Sequence, residues 1–134
     1  MQRRHLILLA GALALFPALA GAQEHGERKK GGGAAFIQIP TLTATIIRPD
    51  GRRGVMTVEA GIDVPDNDSL HSRAMESTPR LRAVYSELIR TYAAGLTSGA
   101  VPNLDYLSRE LQRQTDAVLG RPGARLLLGT VLVN

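Results

Sequence analysis

The chain has 134 residues, of which 44% are apolar and 21% charged, with a formal net charge of +4. It contains no cysteine, which excludes disulfide staples, thiolate metal sites and a lipoprotein anchor. The basic excess is mild and does not by itself point to nucleic acid.

Residues 1–22, MQRRHLILLAGALALFPALAGA, read as a signal segment. Arg3 and Arg4 form a positive start, Leu6 to Leu15 an uncharged apolar stretch, and Ala20-Gly21-Ala22 the small residues a signal peptidase accepts. Leu6 to Ala22 is 17 residues and includes Pro17, short of the roughly 20 apolar residues a spanning helix needs. Cleavage after Ala22 is expected, with retention as an uncleaved anchor the alternative. Arg3-Arg4 suits ordinary Sec export and also resembles a twin-arginine signal. The mature chain would keep 112 residues and a charge of +2, enough for one small core and not for two.

Residues 23–35, QEHGERKKGGGAA, have the charge and glycine content of a flexible linker and no apolar periodicity. Arg28, Lys29 and Lys30 make it a solvated spacer that can also touch anionic lipid head groups.

The folded domain is expected over residues 36–134. FIQIPTLTATII is rich in β-branched residues, and Pro49-Asp50-Gly51 has the chemistry of a chain reversal. The following strand alternates, with Met56, Val58, Ala60, Ile62 and Val64 on one face and Val55, Thr57, Glu59, Gly61 and Asp63 on the other. Pro40 lacks a donor, so that end of the first strand is expected to be an edge or irregular.

DNDSLHSRAMES, residues 66–77, suits a short helix or a turn capped by Asp66 or Asp68. Thr78 as cap and Pro79 at the first helical position then open a long helix. Its apolar stripe is Leu81, Val84, Tyr85, Leu88, Ile89, Tyr92 and Leu96. A second long helix starts near Asn103, carries Leu104, Leu107, Leu111, Val118 and Leu119 on one face, and stops at Gly120 before Pro122. The run ARLLLGTVLV, residues 124–133, reads as a central strand buried on much of both faces. The expected class is α+β: a small antiparallel sheet, made of the N-terminal hairpin and the C-terminal strand, packed against two long helices.

The sequence contains no G-x-S-x-G, no G-x-x-x-x-G-K and no H-E-x-x-H. His71 stands near Asp66, Asp68 and Glu76, and Asp63, Asp66 and Asp68 loosely resemble an oxygen-ligand calcium loop. The glycine and distal glutamate of an EF-hand are missing, and turn chemistry accounts for these acids. Tyr85, Tyr92 and Tyr106 are expected at the core or its margin. Arg48, Arg52 and Arg53 gather at the hairpin turn, and Arg80 and Arg82 open the first long helix. These five form the candidate interaction surface, set against a reading as solvated faces and local ion pairs. No catalytic residue, metal ligand, cofactor or nucleic-acid partner is expected.

VEAGIDVPDNDSL, STPRLRAVYSELIRTY, LDYLSRELQRQTDAVLG and ARLLLGTVLVN together resemble the outer domain of the flagellar basal-body-associated FliL family. Pro79-Arg80-Leu81-Arg82 stands where that family opens a helix with Pro-x-[Ile/Leu]-Arg, and Arg109-Glu110-Leu111 stands in the second helix. The resemblance spans about Thr41 to Asn134. It implies a non-enzymatic, self-associating scaffold beside the inner membrane, touching flagellar-motor or other envelope proteins. The family carries a true membrane helix where this chain has its shorter signal-like segment. The alternative is a small periplasmic ligand-binding protein that uses the sheet or an interhelical pocket.

Overall fold

The computed structural model describes residues 35–65 and 69–134. The signal segment, the linker through residue 34, and Asp66 and Asp68 lie outside the described residues. Six elements follow in order: β1 (Phe36–Ile47), β2 (Arg53–Asp63), α1 (Ser69–Glu76), α2 (Thr78–Ala94), α3 (Leu104–Leu119) and β3 (Arg125–Val133).

β1 and β2 form the hairpin that Pro49-Asp50-Gly51 dictates. Arg48 N–H donates to the Arg52 carbonyl at 2.8 Å, and Gly51 N–H donates to the Arg48 carbonyl at 2.8 Å. Asp50 Oδ1 accepts from Arg52 N–H at 2.9 Å. Gly51 sits at φ 86°, the left-handed position that follows a type I turn in a three-residue hairpin loop. The strand register shifts between Ile39 and Leu42, around Pro40. β1 is an edge strand, and the missing donor of Pro40 falls at that irregularity.

The sheet is antiparallel throughout, with strand order β1-β2-β3. β2, not β3, is its central strand. Met56, Val58, Ala60, Ile62 and Val64 are buried under the helices, as the alternation requires. The C-terminal apolar run is therefore an edge strand: Leu126 is buried, whereas Leu132 is 51% and Val133 41% exposed. An uninterrupted apolar run predicts burial on both faces only where layers cover both faces. Here helices cover one face, and among the described residues no strand lies outside β3.

Three helices occupy that covered side: the two long ones, and α1, where residues 69–76 take the short helix rather than the turn. α2 packs over β1, α3 packs against β3, and α1 touches both long helices. The residue between α1 and α2, Ser77, is the cap position of α2 but makes no side-chain cap bond. Thr78 is already helical, and its hydroxyl donates back to the Ala74 carbonyl at 3.1 Å. Pro79 is thus the second helical residue, where its missing N–H still costs nothing.

α2 buries Leu81, Tyr85, Ile89 and Ala93, and Val84, Leu88, Tyr92 and Leu96 flank them half-buried. α3 opens with Asn103 Oδ1 accepting from Tyr106 N–H at 3.0 Å, a side-chain cap. It buries Leu107, Leu111, Thr115 and Leu119. Leu104, expected on the same face, is 48% exposed, because it lies in the first turn, beyond the part of α3 that the core covers. Gly120 closes α3 at φ 83° with its N–H on the Asp116 carbonyl at 2.8 Å. Arg73 Nη1 of α1 donates to the Leu119 carbonyl at 2.9 Å. A cation thereby satisfies a terminal carbonyl at the negative end of the helix.

Candidate interaction surfaces

Among the described residues, a groove between α2 and α3 and the outer edge of β3 offer surfaces for a partner. The groove lies on the solvent side of the helix pair and encloses about 870 Å³. Val84, Leu88 and Leu96 supply its apolar wall, and Glu87 and Glu110 add carboxylates at its margin. The Tyr92 and Tyr106 rings stack with centroids 5.7 Å apart and an interplanar angle of 25°. Asn103 N–H donates to the Tyr92 hydroxyl at 2.7 Å, which ties the α2 ring to the start of α3. The two carboxylates are engaged in local ion pairs, Glu87 with Arg90 and Glu110 with Arg113. Each pair joins residues three apart on one helix, the usual surface arrangement.

Beneath the groove a buried polar chain links the two helices. Thr115 Oγ1 donates its single proton to the Leu111 carbonyl at 2.7 Å. The Tyr85 hydroxyl, bonded to the same Oγ1, is therefore the donor in that bond. Burial pushes the Tyr85 phenol up to about 12, and nearby Asp116 adds to that rise. An unfolded tyrosine titrates near 10, so the unfolded chain releases this proton first. Stability is complete below about pH 10 and falls as the pH rises to about 12, by roughly 2–3 kcal/mol. Denaturant titrations at pH 9 and pH 12 measure the loss, and Tyr85→Phe is expected to remove the Tyr85 share of it.

The outer edge of β3 is closed at one end by a side chain. Gln112 Oε1 accepts from Leu126 N–H at 2.8 Å, and Gln112 Nε2 donates to the Ala124 carbonyl at 2.8 Å. The carboxamide occupies the place of a neighbouring strand. Asp116 Oδ1 also accepts from Gln112 Nε2, at 2.9 Å, which fixes its orientation.

The arginines do not converge. Arg48, Arg52 and Arg53 are exposed at the hairpin turn, where Arg52 lies 3.9 Å from Asp50. That turn adjoins the loop after α2 through Arg48, Pro49, Leu96 and Thr97. Arg80 and Arg82 are exposed at the opposite end of α2, more than a dozen residues and hence roughly 20 Å away along the helix. The candidate surface is two separate basic patches. Arg28, Lys29 and Lys30 lie outside the described residues.

His71 is half-buried, and its Nε2 has no hydrogen-bond partner among the described residues. Among those residues no group of three or more His, Cys, Asp or Glu side chains could hold a metal ion. None of the described helices is long and apolar enough to cross a membrane. Sequence reasoning missed Gln112, Thr115 and the groove margin at Glu87 and Glu110. The spacing of Thr115 four residues from both Leu111 and Leu119 was the signal that could have found it. Compared with family models, curated proteins and solved structures, the chain has no significant match.

Proposed function

We propose that this chain is an exported, non-enzymatic scaffold or interaction domain resembling FliL, serving the flagellar motor or another envelope complex. The observation that carries the reading is the α2–α3 groove. From Val84 to Tyr92 its α2 wall runs about 12 Å, a little over two helical turns, and Leu96 in the following loop extends it. An apolar wall and a stacked tyrosine pair suit the apolar stripe of a partner helix. The order strand, strand, helices, strand over residues 36–133 supports the resemblance. The signal-like residues 1–22 support export, and a mature N-terminus at Gln23 rather than Met1 is the corresponding observation to make.

Tyr106 is 41% exposed, so Tyr106→Arg alters the groove with little expected effect on unfolding. In the source organism, the Tyr106→Arg allele is expected to reproduce the motility or envelope defect of a deletion while the protein stays at normal abundance. A deletion strain that swims normally, with the protein located away from the flagellar base, would sink the flagellar version. The groove volume also falls within the range of about 300–1,000 Å³ common for small-molecule sites, which favours a second reading as a periplasmic ligand-binding protein. A metabolite that raises the unfolding temperature of wild type but not of Tyr106→Arg would select that reading.

A further inference from the structure

The two edges of the sheet are built differently. The pairing of each edge strand with β2 has one register shift, but only β1 carries a proline, Pro40, whose missing donor discourages pairing with another strand. β3 has no proline and no charge from Leu126 to Val133. At its start Gln112 closes the edge, as described above, so the open portion is the second half of the strand.

The direction of its backbone groups follows from one hydrogen-bonded pair. Val55 and Asn134 exchange both bonds, each 2.9 Å. Antiparallel residues alternate in the side they address, so Leu132 addresses β2, and Val131 and Val133 present N–H and C=O outward. Leu132, 51% exposed, projects from the sheet face that carries no helices, opposite Thr57.

We propose that this half of β3 pairs antiparallel with β3 of a second copy of the chain, giving one continuous six-stranded sheet. The segment Thr130-Val131-Leu132-Val133-Asn134 reads polar, apolar, apolar, apolar, polar in both directions. Antiparallel pairing about Leu132 sets Thr130 against Asn134 of the other copy, Val131 against Val133, and Leu132 against Leu132. Like therefore meets like at every position, the self-complementarity a two-fold interface requires. Val131 and Val133 form the hydrogen-bonded pairs. The two Leu132 residues occupy the non-hydrogen-bonded position, where Cα atoms approach to about 4.5 Å and side chains are closest. The paired segment itself carries no charge. The pairing is centred six residues from Leu126, so the Gln112-sealed ends of the two strands point away from each other. This association is independent of what occupies the α2–α3 groove.

Because the chain has no cysteine, a single introduced thiol reports the register. A Leu132→Cys pair would have a Cα separation within the disulfide range of about 4.4–6.8 Å. Under mild oxidation the full-length Leu132→Cys protein is expected to form a disulfide-linked dimer. Thr43→Cys, exposed on the same sheet face in β1 and away from the proposed seam, is expected to form no disulfide-linked dimer. Sedimentation of the cysteine-free protein is expected to show a concentration-dependent dimer that Leu132→Lys abolishes with its circular dichroism unchanged. A wild type that remains monomeric at every concentration overturns the proposal. So does a dimer that survives Leu132→Lys, or equal cross-linking of the two cysteine variants.

Discussion

Replacing Tyr85 with alanine is expected to destabilise the domain by about 3–5 kcal/mol, the largest single-residue effect. Tyr85 is fully buried and the bulkiest of the fully buried side chains. Its ring fills the space between α2 and α3, so its removal leaves a cavity as well as lost apolar burial. The hydroxyl is a smaller contribution. Tyr85→Phe removes one donor from Thr115 Oγ1, which keeps its bond to the Leu111 carbonyl, so about 1 kcal/mol is expected. Equilibrium urea unfolding of the two variants separates ring from hydroxyl. If Tyr85→Ala and Tyr85→Phe lost equal stability, the ring would not be filling the core.

Leu111→Ala is expected to cost about 2–5 kcal/mol, and Leu88→Ala distinctly less. Leu111 is fully buried on α3, whereas Leu88 is half-buried at the groove wall. From periodicity alone the two leucines are equivalent, since both lie on the apolar stripe of a helix. The sheet and the opposing helix distinguish them. Thermal and chemical unfolding of both variants measure the difference. Equal losses would mean that the groove side of α2 is covered as fully as its sheet side.

That pair of leucines shows how far the sequence carries. Local chemistry was legible: Pro49-Asp50-Gly51 forms the turn, Gly120 ends α3, and the β2 alternation separates buried from exposed residues. Strand order was not. An apolar run records preference for burial, but it carries no information about which strands flank it, and β3 proved to be an edge. A buried polar residue was also missed. The spacing of Thr115 from Leu111 and Leu119 places it on the buried face, but the Tyr85 hydroxyl that also satisfies it comes from the other helix and is not visible within α3. The arginine candidates were correctly placed as exposed, yet their separation along α2 depends on where the hairpin packs.

The carboxamide of Gln112 has a meaning for the chain before it is fully folded. Leu126 to Val133, LLLGTVLV, is an uncharged stretch rich in β-formers, the composition from which cross-β aggregates grow. Its start is shielded by a residue of α3, so the shield exists only once that helix has docked. Newly made or partly opened molecules carry the stretch uncovered along its whole length. The start of this stretch is therefore guarded by tertiary structure rather than by local sequence, and the time α3 takes to dock sets how long that start is exposed.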